Sequence, residues 1–227
     1  MKQKLTLYHG SPNVVPVPLP GKGNPHNDYG PGFYCTRSLD MAKEWACDGP
    51  DIGWANRYVL DCAGLEVLDL SDTRYNILNW LAILLENRTF GLSNPIPSNI
   101  RDYILDVFLP DYKSADLIKG YRADDSYFTF ARDFLSNSIS LSQLERAMKL
   151  GLLGEQIVIK SDRAFDAILF DGATGADGGL FHPLRLARDK AAREAYRQIR
   201  SEGLREDSLT AWDIVRNKLT SNDLQIR

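Results

Sequence analysis

Proline sets the first constraint on this chain. His9-Gly10-Ser11-Pro12 turns into a stretch carrying Pro16, Pro18, Pro20 and Pro25. Proline has no amide donor and a fixed φ, so neither a helix nor a central strand can run through this stretch. The sequence therefore predicts a long loop between a short strand, Lys4 to Tyr8, and a second strand, Phe33 to Thr36, released by Gly30-Pro31-Gly32. Ser38 then caps a helix with Leu39, Ala42, Trp45 and Ala46 on one face. Strands follow at Arg57 to Asp61 and Glu66 to Leu70. The strongest helical pattern, Tyr75 to Arg88, places Ile77, Leu78, Leu81, Leu84 and Leu85 at helical spacing. A helix from Asn99 to Leu109, a strand from Ala115 to Lys119, and helices from Ser126 to Leu135 and Leu141 to Leu150 come next, the last ended by Gly151. The β-branched run Glu155 to Lys160 and the apolar Ala167 to Phe170 complete the strands. Four glycines between Gly172 and Gly179 predict a flexible connection, and the rest reads as helical and charge-rich. The fold class is α+β: a body over residues 1–171, a glycine-rich connection over 172–180 and a helical C-terminal extension over 181–227.

Composition excludes several classes. At 227 residues, 44% hydrophobic and 25% charged, with a mean hydropathy of −0.29, the chain can bury a core and is far from the disordered regime. A formal charge of −3 gives no global pull toward nucleic acid or an acidic membrane. The longest apolar run is Trp80 to Leu85, far short of the roughly 20 residues that span a bilayer. No signal-peptide hydrophobic region forms ahead of His9, so a cytoplasmic protein is expected. Cys35, Cys47 and Cys62 suit neither a disulfide framework nor paired zinc ligands, and no His-Glu-x-x-His, Walker A loop, dinucleotide glycine fingerprint or Gly-x-Ser-x-Gly elbow is present. No metal is expected.

Three patches place polar or aromatic groups beside glycines: Tyr8-His9-Gly10-Ser11, Asp28 to Thr36, and Gly154-Glu155-Gln156-Ile157. His9 with Gly10 offers an imidazole beside exposed main chain, or His9 stabilises a turn. Tyr29, Phe33 and Tyr34 form a platform for a planar ligand, or one of the adjacent pair Phe33 and Tyr34 faces the core, because strand neighbours alternate. The same alternation makes Glu155 and Gln156 competitors for one site.

Taken in order, these motifs resemble a family. Tyr8-His9-Gly10-Ser11, Asp28-Tyr29-Gly30-Pro31-Gly32-Phe33-Tyr34-Cys35-Thr36 with Ala42 and Trp45-Ala46, Trp80-Leu81 with Asn87-Arg88, Asp116 to Gly120 with Ala123-Asp124-Asp125, and Glu155 to Val158 with Ala164-Phe165 resemble the prokaryotic domain-of-unknown-function 3990 family, placed among the ADP-ribosyltransferase-like folds. The resemblance covers roughly residues 4 to 170. It implies a split, strongly twisted β-structure surrounded by helices, with NAD bound in the cleft. It also implies a His-Tyr-Gln version of the His-Tyr-Glu transferase triad, carried by His9, Tyr34 and Gln156. In that reading His9 contacts the adenosine ribose, Gly10 holds the nicotinamide amide, Tyr34 stacks on the nicotinamide and Gln156 contacts the adjoining ribose. Ser11, Gly32 and Phe33 complete the NAD-binding set.

An amide at position 156 is neither a carboxylate nor a titratable base. Either the acceptor is already nucleophilic, or another acid deprotonates it, with Glu155, Asp125 and Glu44 as candidates in that order. Asp124 and Asp125 alternatively cap the following helix. The function implied by the resemblance is mono-ADP-ribosyl transfer from NAD to a protein or nucleic acid, as the toxin of a bacterial or phage toxin-antitoxin pair with an antitoxin partner. NAD hydrolysis and a non-catalytic NAD-fold binding module are the alternatives. From Phe181 to Arg205 seven basic residues face three acidic ones, an excess of +4. That face meets a nucleic acid or acidic partner, or is a solvated charged helix. A further helix is expected from Asp207-Ser208, with Leu209, Trp212, Ile214 and Val215 on its apolar face.

Overall fold

The structure is a computed structural model and describes residues 4–88, 98–122, 125–150 and 155–224, without the side chains of 125–127. Its elements in chain order are β1 (Lys4–Ser11), β2 (Phe33–Thr36), α1 (Leu39–Ala46), β3 (Gly53–Asp61), β4 (Val67–Asp69), α2 (Ile77–Asn87), α3 (Ser98–Phe108), β5 (Leu117–Tyr121), α4 (Asp125–Leu135), α5 (Leu141–Met148), β6 (Glu155–Ile159), α6 (Asp162–Asp166), β7 (Ile168–Ala176), α7 (Gly178–Ser201), α8 (Ala211–Arg216) and α9 (Ser221–Leu224). The architecture is mixed α+β. Seven strands form one sheet in the order β4-β5-β6-β2-β1-β3-β7, parallel only between β4 and β5.

The centre of the sheet is its weakest seam. β1 pairs with β3 along its whole length, from Lys4 with Asp61 to Ser11 with Trp54, and β2 pairs with β6 from Phe33 with Ile159 to Thr36 with Gln156. Between β1 and β2 a single register point joins the two halves, Tyr8 with Thr36. Each strand follows its outer partner, and the inner ladder ends where they part.

Side-chain alternation gives the sheet two different faces. One carries Leu7, Cys35, Tyr58, Leu60, Leu117, Ile157 and Ile159, covered by Ala164 of α6 and Ile168. The other packs on the helices. There α2 is buried from Ile77 to Leu85, as a helix apolar on nearly all sides must be. Its start is fixed by a capping box between Asn76 and Asn79, and Asn79 Nδ2 also donates to the Phe108 carbonyl at 2.8 Å, tying α2 to the end of α3.

Three expectations shift. The first strand continues through His9 and Gly10 to Ser11, because β3 offers a paired edge that far. The glycine-rich run is not a free connection: β7 extends to Ala176 along Gly53 to Asn56 of β3, and α7 starts at Gly178. Small residues suit this corner, since a Cβ at Gly178 would overlap the main chain of Gly49 and Asp51. The last apolar helix, α8, starts after Thr210 rather than Asp207-Ser208, because Thr210 and Asp213 form the capping box. The short helix α6 carries no strong periodic signal, and Gly151 and Gly154 lie outside the described residues. No helix among the described residues is long and apolar enough to cross a membrane.

The C-terminal helices join the main core. Ala192, Tyr196, Ile199, Ala211 and Ile214 belong to the same buried cluster as α2. The Tyr196 ring lies 3.9 Å from that of Phe130, its hydroxyl donates to Asp133 at 2.7 Å, and Gln143 Nε2 donates to the Ile199 carbonyl at 2.8 Å. Losing buried side chains of this size costs about 2–5 kcal/mol each, against a total stability of about 5–15 kcal/mol. A chain ending at Gly179 is therefore expected to lose cooperative thermal unfolding by circular dichroism. A truncated chain melting sharply within a few degrees of the full chain would contradict this packing.

Candidate functional site

His9 and Tyr34 lie at the seam where β1 and β2 part, and Gln156 stands on β6 across from Thr36. Past Tyr8 the ladder ends, and the Tyr34 carbonyl is bonded instead by His9 Nδ1 at 2.7 Å. A carbonyl can only accept, so Nδ1 carries the proton and Nε2 presents a lone pair. The ring lies against Phe33, with centroids 4.3 Å apart, and Phe33 meets Tyr58 edge-on at 5.4 Å. Burial pushes the imidazole pKa below its ordinary 6.5, against the opposing pull of the Tyr34 bond. The group is a neutral hydrogen-bond acceptor at pH 7.

Tyr34 and Gln156 take the opposite face, as their register with Val158 and Thr36 requires. The Tyr34 hydroxyl donates to the Gly30 carbonyl at 2.6 Å and accepts from the Tyr29 amide at 3.1 Å. Burial raises the phenol pKa well out of the physiological range, so Tyr34 is a fixed ring rather than a proton carrier. The loop that holds it is itself braced. Lys160 Nζ donates to the Tyr29 carbonyl at 2.7 Å, the Tyr29 hydroxyl donates to the Tyr121 carbonyl at 2.6 Å, and Arg88 pairs with Asp28 at 2.6 Å. Gly30 turns this loop at φ +73°, a left-handed conformation that glycine adopts without strain. Burial lowers the Lys160 pKa to about 8, with Lys113 adding to the effect.

Gln156 is buried opposite Gly120, and its Oε1 has no hydrogen-bond partner among the described residues. Trp45 Nε1 is in the same condition. α1 carries Trp45 over this face, so close to β1 that a Cβ at Gly10 would overlap the Ala42 carbonyl oxygen and lie 2.8 Å from both Ala46 N and Trp45 Cβ. A buried donor and a buried acceptor left unmet on one face are costly, and such a pair suits a polar ligand that supplies both partners.

The other candidates fall elsewhere. Glu155 lies on the His9 face of β6, half-exposed and paired with Lys119 at 2.8 Å. Alternation thus separates it from Gln156. Glu44 is buried and held by Arg188 through contacts of 2.7 and 3.0 Å. Asp125 begins α4 with its side chain outside the description, and Ala123 and Asp124 lie outside the described residues. Gly10 and Gly32 are needed for packing: a Cβ at Gly32 would stand 2.5 Å from Val158 Cγ1 and 2.9 Å from the Ile159 carbonyl oxygen. Ser11 donates to the Asn13 carbonyl at 2.6 Å, and Phe33 stacks on His9.

Sequence reasoning missed Asn56 and Arg122. Asn56 is fully buried and donates to the His9 carbonyl at 3.3 Å and Ser11 Oγ at 3.1 Å while accepting from the Val15 amide at 2.8 Å. It pins the end of β1 and the start of the proline loop, and nothing in its local sequence signals that role. Arg122 stacks 4.2 Å from the centre of the Trp45 ring. A helical pattern alone marks Trp45 as a face residue and gives no sign of this partner.

The His9 pKa sets a pH dependence. As pH falls through 6.5 the unfolded chain takes up the proton first, so this residue's contribution to stability is present above that pH and declines below it. In urea unfolding at pH 7.5 and 5.5, His9→Asn keeps a donor for the Tyr34 carbonyl and is expected to lose the part of the acid destabilisation that His9 causes. An unchanged pH dependence in the variant would contradict the assignment.

The model of the family described as protein of unknown function (DUF3990) matches residues 5–170. No curated protein and no solved structure matches the chain. The family match takes in β1 through the first residues of β7, including His9, Tyr34, Trp45 and Gln156, and on that match the chain belongs to the DUF3990 family.

Proposed function

We propose that the chain is an ADP-ribosyltransferase-like protein that takes NAD as donor and transfers ADP-ribose to a macromolecule. The observation that carries the reading is the pair of unmet groups, Gln156 Oε1 and Trp45 Nε1, on the face of Tyr34 beside the seam occupied by His9. A nicotinamide riboside has what such a place lacks: a flat ring for Tyr34, ribose hydroxyls to donate to Gln156, and an amide with both donor and acceptor.

In the transfer, the bond from ribose C1′ to the nicotinamide nitrogen breaks, and its electron pair leaves with neutral nicotinamide. Positive charge grows on the sugar, where the Gln156 carbonyl dipole is favourable. The lone pair of the acceptor then forms the new bond to C1′, and the acceptor's proton passes to solvent. The pairing of Glu155 with Lys119 and of Glu44 with Arg188 supports a reading in which neither serves as the base for this proton. That arrangement favours an acceptor that is already nucleophilic, such as a nucleobase ring nitrogen. The role as the toxin of a toxin-antitoxin pair rests on the family resemblance alone.

Incubation of the full chain with adenylate-labelled NAD and cell extract is expected to release nicotinamide and leave label on a polymer, identified by separate protease, RNase and DNase digestion. Gln156→Ala should slow release by about 100-fold, the usual effect of losing one positioned transition-state contact. Gln156→Glu should change acceptor choice or rate. Nicotinamide release without labelled polymer would turn the reading to hydrolysis, and no release by the wild type would leave a binding module.

A further inference from the structure

A hollow of about 150 Å³ lies between α1 and α7, lined by Trp45, Arg122, His182 and three arginine–carboxylate pairs, Arg185 with Asp48, Arg188 with Glu44 and Arg193 with Asp189. It is too small for a whole dinucleotide, since pockets for such ligands run to about 300–1,000 Å³. Its lining is instead suited to a single anionic group.

The ion pairs around it are of two kinds. Arg188 holds Glu44, whose side chain is only 5% exposed, and this buried pair fixes α7 against α1. Arg185 meets Asp48, whose side chain is 96% exposed, and Arg193 meets Asp189 one turn away while itself 54% exposed. Exposed pairs of that sort contribute little and exchange readily, whereas a phosphate can take bidentate, charge-assisted bonds from several guanidiniums at once. The hollow thus has a rigid frame and exchangeable donors.

From it a line of cations continues along the helix. Lys190, Arg193, Arg197 and Arg200 are all exposed, Arg200 also lying 3.4 Å from Asp133, and follow each other at steps of three, four and three residues, which places them on one face over roughly 15 Å. The adjoining side of α7 buries Ala192, Tyr196 and Ile199. A dinucleotide carries only two adjoining phosphates and cannot match charges spread along such a track, whereas a polymer with regularly spaced phosphates can.

We propose that the hollow and the α7 stripe bind the phosphate backbone of a nucleic-acid strand. α7 lies beyond residue 170, where the family match ends, so this surface joins a helix of the matched region to one outside it. Calling the strand the acceptor rests on the transferase reading; its binding does not. Trp45 lines this hollow and stands over Gly10, which would bring a strand held here beside the donor cleft.

The test is fluorescence anisotropy of end-labelled single-stranded DNA and RNA 15-mers with the full chain at 50 and 200 mM salt, with NAD binding followed by calorimetry on the same preparations. The expected result is binding that weakens with salt. It should weaken at least tenfold further, with a shallower salt slope, in Arg185→Glu/Arg193→Glu and in Lys190→Glu/Arg197→Glu, while NAD affinity and thermal midpoint stay unchanged. The second pair lies outside the hollow and keeps the test valid if the first disturbs folding. No oligonucleotide binding at 50 mM salt, or equal binding by both variants, would overturn the proposal. Loss of NAD affinity in step with oligonucleotide affinity would assign the hollow to the NAD diphosphate and overturn it as well. If the wild type binds oligonucleotide as expected and NAD not at all, the donor reading fails and this one stands.

Discussion

The hydrogen bond from His9 to the Tyr34 carbonyl occupies the point on which the rest of the architecture turns. β1 and β2 share one register point and then diverge, each following an outer partner. Twisted strands that separate leave main-chain groups facing a gap, and buried main-chain groups need partners. The imidazole supplies one from the side, and doing so fixes its tautomer and leaves Nε2 as an acceptor. Burial keeps it uncharged. A structural bond therefore determines which ring nitrogen of His9 carries the proton.

On the opposite face the same seam is closed by a helix. α1 lies so near β1 that only glycine fits at position 10, and this contact brings Trp45 over the face that carries Tyr34 and Gln156. Glycine here serves the approach of a helix rather than open access for a ligand through the Cβ direction, which leaves the ladder edge as the route to the main chain. α7 is held on α1 by the buried Arg188–Glu44 pair and on α4 by the bond of Tyr196 to Asp133. Removing Arg188 would leave the Glu44 carboxylate buried and unmet, whereas Asp133 without Tyr196 would keep Arg200 at 3.4 Å.

Much of this was legible in the sequence where local chemistry decides the outcome. Proline placed the long loop, Ser38 and Ser140 marked helix starts, and the periodicity of Ile77 to Leu85 identified the buried helix. The family followed from ordered motifs spread along most of the chain. What failed to show were features fixed by distant partners. The extension of β1 through His9 depends on the edge of β3, and the strand character of Gly172 to Ala176 depends on Gly53 to Asn56. The position of Glu155 followed a rule visible in advance, because neighbours on a strand face opposite ways, yet only the register with Thr36 shows which of Glu155 and Gln156 shares the face of Tyr34. Asn56 and Arg122 act through residues tens of positions away or across a helix, and no local pattern announces them.

The proposed function requires that NAD bind where β1 and β2 part and be read there by a neutral imidazole. Nitrogen-15 NMR of the histidine side chains, recorded at pH 7 with and without NAD, tests it most directly. The account predicts that His9 is protonated at Nδ1 alone and that adding NAD shifts its Nε2 resonance, with a matching shift at the Gln156 carboxamide. A His9 protonated at Nε2, or both signals unmoved by saturating NAD, would contradict it.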